Sequence, residues 1–232
     1  MIAPPVVVGG IVARAASLVA GLFVFAVGAV LMLGSDLGLS PWDVLSQGLS
    51  QRLGGSFGGI TVCVSFVVLT LSWLLGARIG VGTVANAALV GTFVDLLLRV
   101  DAIAALPERS LGARVALLVV GLACHGVGSA LYLGAGLGAG PRDSLMLVVT
   151  HRTRTRIGVV RALLEIPVGA AGFMLGGTVG VGTIAFALGI GPLIELSCTA
   201  LARLGLADDS RDSAGATWIR DYDRMEMARG VE

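Results

Sequence analysis

Residues 37–45 read Leu37-Gly38-Leu39-Ser40-Pro41-Trp42-Asp43-Val44-Leu45, and residues 137–145 read Leu137-Gly138-Ala139-Gly140-Pro141-Arg142-Asp143-Ser144-Leu145. The offset of 100 holds outward from this stretch without a gap: residues 13–96 set against 113–196 share 30 identities in 84 positions. Gly80-Val81-Gly82-Thr83 returns at Gly180 to Thr183, and Ala85, Ala87 and Gly91 return as Ala185, Ala187 and Gly191. A chain with 35 glycines scatters chance glycine matches, but it does not align Pro, Asp and Thr in one register. The sequence is an internal duplication.

Each unit holds three apolar stretches near spanning length: Ala15–Gly34, Phe57–Gly76 and Val81–Val100, then Val115–Gly134, Ile157–Gly176 and Val181–Ala202. About 20 residues at about 1.5 Å each cross a bilayer core of roughly 30 Å. Composition agrees, with 56% apolar residues, 13% charged and a mean hydropathy of +0.93. A soluble domain, usually about a quarter charged, is excluded. Arg14 is the only early charge and precedes an uncharged run, so a retained span is expected there in place of a cleaved leader.

Between the first and second stretch of each unit lies a short polar segment, Pro41–Leu53 or Pro141–Arg154, expected as an interfacial or re-entrant helix. Three spans per unit is an odd number, so the second unit must enter from the opposite side. The expected fold is therefore an all-α, polytopic transmembrane bundle of two three-helix units in inverted repeat. One side then carries eight arginines before the tail and the other four, which puts both termini in the cytoplasm. The membrane domain is expected over 1–206, with repeat units 13–96 and 113–196. A polar, disordered cytoplasmic tail is expected over 207–232.

Several function classes drop out. Net charge is +1, so no global field points to nucleic acid. Cys63, Cys124 and Cys198 are scattered through apolar runs, and His125 and His151 are too few for a metal centre, so neither metal nor cofactor is expected. Gly54-Gly55-Ser56-Phe57-Gly58 fits G-x-S-x-G but lies in a loop between helices, with no convincing His partner, and no enzyme is expected.

The candidate site residues are ionisable or polar groups in apolar surroundings. Ser40-Pro41-Trp42-Asp43 reads as N-cap, Pro at the first helical position and Asp at the third, and Gly140-Pro141-Arg142-Asp143 repeats it. Asp43 and Asp143 then serve as caps, or as caps that also face a ligand where glycine-rich breaks open the backbone. Arg142, in place of Trp42, favours an anionic group beside a cavity. Asp95 and Glu195 occupy matched positions in the third spans; an intramembrane carboxylate costs roughly 2.5–3.5 kcal/mol and is a functional candidate unless it reaches the interface or a partner. Arg161 and Glu165 are four apart on one helix face and can pair, whereas the first unit has Thr61 and Ser65 there. Asn86, the only Asn, is expected to face the same interior. His125 reads as a packing histidine, and Gly34-x-x-x-Gly38, Gly76-x-x-x-Gly80 and Gly176-x-x-x-Gly180 read as small-residue helix faces.

The Leu-Gly-x-x-Pro-x-Asp segments at 37–43 and 137–143, the Gly-Val-Gly-Thr turns and Gly191-Pro192 resemble the YczE/YitT group of bacterial membrane proteins, over about residues 13–203. The YitT branch typically carries a small soluble C-terminal domain, so the short tail here favours the YczE side. The resemblance implies a multi-pass protein of the bacterial inner membrane and brings no catalytic residues with it. Two functions stand as expectations. One is a secondary transporter or exporter of a small solute, with Asp43, Asp143 and Arg142 lining the cavity and Asp95, Glu195 or Glu165 coupling a proton or cation. The other is a membrane scaffold or regulatory factor that holds a protein partner, or its own copy as a homo-oligomer, through glycine faces. A polar interior favours the first and a dry, packed interior the second.

Overall fold

The computed structural model describes residues 6–100 and 110–208. Among these are eight helices: α1 (Ile11–Ser35), α2 (Pro41–Leu53), α3 (Phe57–Leu74), α4 (Val81–Leu98), α5 (Leu111–Gly134), α6 (Pro141–Thr153), α7 (Ile157–Met174) and α8 (Val181–Arg203). Six are long and apolar enough to cross a membrane, and the two short ones are α2 and α6. All eight fall where the hydropathy pattern expects them. A small addition is a two-residue antiparallel pair, β1 (Val6–Val7) with β2 (Ala207–Asp208), which ties the chain before α1 to the chain after α8. The tail expected from residue 207 thus begins as a strand; residues 209–232 lie outside the described residues.

Helices α1 and α5 form the centre. Gly21 faces Gly128 and Gly28 faces Gly121, so the two helices run antiparallel. A Cβ on any of these four glycines would sit within 2.7–3.0 Å of the opposing glycine's carbonyl oxygen, so the backbones touch. Such close approach maximises dispersion contact, which drives helix association where lipid tails remove the hydrophobic effect. The expected small-residue faces are corrected here: Gly38, Gly76 and Gly176 have positive φ and lie in connections, and the helical seam is built from glycines seven residues apart.

Arginines lock both ends of this pair. At one end the Arg14 guanidinium donates to the carbonyls of Ala135 (2.6 Å) and Gly136 (2.7 Å), past the end of α5. At the other end Arg114 donates to the carbonyls of Ser35 (2.7 Å) and Asp36 (2.7 Å) and pairs with the Asp36 carboxylate. A cation on the last carbonyls of a helix also complements its negative end. Met32, Leu118, Leu122, Phe186 and Ile190 pack α8 against the central pair, while Leu18, Leu22, Val90 and Tyr132 pack α4 against it.

The two sequence motifs turn out to be partners of one another. The Gly82 N–H donates to the Leu137 carbonyl (2.8 Å), and the Gly182 N–H donates to the Leu37 carbonyl (2.7 Å). Each Gly-Val-Gly-Thr turn therefore seats on the Leu-Gly segment of the other unit. Gly38 and Gly138 must be glycine there: φ is +117° and +129°, and a Cβ would meet Thr183 Oγ1 at 2.8 Å and Thr83 Oγ1 at 2.6 Å respectively. The short helices cross over likewise, α2 packing on α7 and α6 on α3.

Candidate functional site

Among the described residues, a cavity of about 100 Å³ lies in the bundle. That is several times the roughly 10–15 Å³ that one water needs. Its wall draws on both units, with Trp42, Ser65 and Asn86 from the first and Ser129, Tyr132, Arg142, Asp143, Arg161 and Glu165 from the second. Phe25, Phe186 and Ile190 complete an apolar side.

The two Pro-Asp turns have diverged in a way that builds this site. In α2, the Ser40 hydroxyl accepts from the Asp43 N–H (3.3 Å) and donates to the Asp43 carboxylate (2.5 Å). Asp43 is only 5% exposed and holds the Arg142 guanidinium at 3.3 Å. Arg142 also lies over the Trp42 ring, 5.5 Å from its centroid. Arg142 is thus not a lone cation awaiting an anion; its charge is already matched, which corrects the sequence expectation. In α6 the residue at the cap is Gly140, which has no hydroxyl to offer. Asp143 takes its hydrogen bond from the Tyr132 hydroxyl instead, at 2.5 Å.

On α7, Arg161 and Glu165 pair at 3.0 Å, as the four-residue spacing expects, and both line the cavity. Ser65, which matches Glu165 in the first unit, lines it too, and Asn86 joins from the second turn of α4. Five of the eight sequence candidates, Arg142, Asp143, Arg161, Glu165 and Asn86, therefore share one wall, with Asp43 directly behind Arg142.

The remaining two do not join them. Asp95 caps α3: its carboxylate accepts from the Ser56 hydroxyl (2.5 Å) and the Gly58 N–H (2.7 Å). Ser56 in turn accepts from the Gly59 N–H, so its hydroxyl is a helix cap. Glu195 is exposed on α8.

Sequence reasoning missed the aromatic walls and Tyr132. The signal for Tyr132 was present, since the chain has only two tyrosines and this one interrupts an apolar run. His125 is packed as expected, with its ring centroid 4.4 Å from Phe25 and 5.4 Å from Phe186. Its Nδ1 lies 3.0 Å from the Gly121 carbonyl, which can only accept, so Nδ1 carries the proton. Nε2 is buried without a hydrogen-bond partner among the described residues, behind two rings of the cavity wall.

Comparison with known proteins adds the family. The model of the family of unknown function DUF6198 matches residues 12–199. The chain belongs to that family. It is 37% identical over 183 residues to an uncharacterized protein of Haemophilus influenzae, covering 79% of this chain and 82% of that one. It is 33% identical over 181 residues to the uncharacterized membrane protein YczE of Bacillus subtilis, covering 77% and 82%. A second Bacillus subtilis relative, the uncharacterized protein YyaS, is 28% identical over 166 residues. No solved structure matches the chain. The YczE resemblance read from the motifs is thereby established, and with its six apolar helices this DUF6198 chain is a membrane protein.

Proposed function

We propose that this DUF6198 protein is a secondary transporter of a small solute, built as an inverted repeat whose cavity is the solute site. The observation that carries the reading is the cavity itself: polar and ionisable side chains from both repeat units line it beside apolar ones, within a bundle of long, mostly apolar helices. The scaffold reading calls for a dry interior. Ionisable side chains are expensive at membrane depth and collect along solute or proton paths.

The inverted repeat is supported by the antiparallel α1–α5 pair and by matching contacts at its two ends: Arg14 on the Ala135 carbonyl answers Arg114 on the Ser35 carbonyl, and Gly82 on Leu137 answers Gly182 on Leu37. A re-entrant course for α2 is supported by its contacts: Pro41 lies beside Gly169, and Arg52 reaches the Leu175 carbonyl at the end of α7. Arg142 and Arg161 line the cavity and drop out of the topology count. Arg14, Arg78, Arg152, Arg154, Arg156 and Arg203 remain at one end, still an excess, and in our reading that end and both termini face the cytoplasm across a bacterial inner membrane.

Charge at the site favours a cation or a proton. Arg142 is matched by Asp43 and Arg161 by Glu165, which leaves the Asp143 carboxylate, among the described residues, with the Tyr132 phenol and no paired cation. A thermal-shift screen of purified protein tests this, with sodium, potassium and a series of small ammonium ions set against chloride, acetate and phosphate. Saturable stabilisation by a cation is expected, and Asp143→Asn should abolish it without unfolding the protein. If only anions stabilise, or Asp143→Asn keeps the full cation response, the charge assignment is wrong. If nothing binds, the cavity is structural and the scaffold reading replaces ours.

A further inference from the structure

The two units are matched in sequence but not in packing. In the first unit α3 and α4 pack closely: a Cβ on Gly58 would collide with the Gly91 carbonyl oxygen, so the helices touch at these two glycines. The Asp95 carboxylate closes the same seam by holding Ser56 and the Gly58 N–H across it. In the second unit the matching glycines, Gly158 and Gly191, have nothing within 4 Å among the described residues, and α7 and α8 scarcely touch. The residues matching Ser56 and Asp95 are Arg156 and Glu195. Both are exposed, and neither carries a side-chain hydrogen bond or ion pair among the described residues.

The open seam lies beside the cavity. Arg161, Leu164 and Glu165 of α7 and Phe186, Ile190 and Ile194 of α8 all belong to its wall. Helices α7 and α8 are the least buried of the six long helices, about 11% each, against 28% and 33% for the matching α3 and α4. The closed and open seams also lie at opposite ends of the bundle. Gly82 at the start of α4 meets the segment that follows α5, beside Arg14, so Asp95 near the end of α4 lies at the Arg114 end. Gly182 meets the segment that follows α1, so Glu195 and Arg156 lie at the Arg14 end.

We propose that α7 and α8 are a gate caught open, and that they close on each other as α3 and α4 do here. Gly158 then meets Gly191, and the Glu195 carboxylate takes the Gly158 N–H and the Arg156 guanidinium. The closed pair at the far end opens in exchange, so the cavity faces one side of the membrane at a time. Gly158 and Gly191 provide the same close approach as Gly58 and Gly91, and an acidic residue stands at the capping position in both halves. Replacement of Ser56 by Arg156 makes the second closure an ion pair, so the two gates differ in strength. This inference rests on the transporter reading for its purpose, but closure itself is a property of the helices and can be measured without any solute.

The experiment uses the full chain in native membranes, with Cys63, Cys124 and Cys198 replaced by serine. Two double variants are oxidised side by side, Ser56→Cys with Asp95→Cys, and Arg156→Cys with Glu195→Cys. Each is expected to form a disulfide within one chain, and a chain carrying all four cysteines is expected to form one bond or the other but not both. Gly158→Leu, placed where the structure has open space, should block the 156–195 bond and spare the 56–95 bond. The proposal is overturned if 56–95 forms and 156–195 does not. It is equally overturned if 156–195 forms only between two chains, which would make the gap a dimer interface, or if both bonds form in one molecule. Failure of cation binding with successful cross-linking would sink the solute assignment alone.

Discussion

Replacing Gly28 by alanine tests the centre of the fold. The new Cβ would lie 2.5 Å from His125 Nδ1, 2.8 Å from the Gly121 carbonyl oxygen and 2.9 Å from the His125 backbone nitrogen. Ordinary contact between heavy atoms begins near roughly 3.5 Å, so α1 and α5 must separate locally by something on the order of 1 Å. Backbone atoms supply two of the three contacts, so no rotamer change relieves them. Overpacking of this kind costs about 1–3 kcal/mol. Alanine also stabilises a helix relative to glycine, by up to about 1 kcal/mol, and that gain needs a control. Gly189→Ala provides it: Gly189 is inside α8 with nothing within 4 Å among the described residues. The two single variants share the backbone gain, so the difference between them isolates the steric term. Unfolding by titrating SDS into mixed micelles should therefore give a Gly28→Ala midpoint below that of Gly189→Ala by the equivalent of about 1–3 kcal/mol. Equal midpoints would mean that α1 and α5 do not meet backbone to backbone, and the central pair would have to be redrawn.

The matched carboxylates of α4 and α8 should respond differently to the same change. Asp95→Ala removes two acceptors from the start of α3 and should cost about 1–3 kcal/mol in the same titration, whereas Glu195→Ala should stay within about 0.5 kcal/mol; similar losses at both would contradict an open second seam. Arg142→Ala leaves the Asp43 carboxylate buried with the Ser40 hydroxyl as its partner among the described side chains, and a loss of about 3 kcal/mol is expected, near the low end for a broken buried pair because Arg142 is itself 23% exposed. Adding Asp43→Asn to Arg142→Ala should recover part of that loss, and no recovery would show that the cost came from the Arg142–Trp42 contact instead.

The duplication, the six long apolar helices and both short helices were legible in the sequence because each rests on local quantities. Apolar length sets a span, and a Ser-Pro start with a following carboxylate sets a short helix. Arg161 with Glu165 was legible for the same reason, since residues four apart on a helix face each other whatever surrounds them. His125 was rightly read as packing, because an isolated imidazole in an apolar run has few other uses.

What the sequence could not decide is how the matched pieces meet. Asp95 and Glu195 look equivalent in a list of residues, yet one caps a neighbouring helix and the other stands exposed. The difference lies in whether two helices touch, and that depends on the packing of every other element. Gly58 and Gly158 are likewise one residue type at one repeat position, one pressed against a carbonyl and the other facing open space. Arg142 read as an unmatched cation because its partner, Asp43, lies 99 residues away and is brought to it only by the crossing of the two units. Composition and spacing determine which segments are helical and buried in lipid, since those preferences act over a few residues. Tertiary structure alone decides which charges meet, which glycines touch and where space remains, because those outcomes depend on distances between segments that the chain does not encode locally.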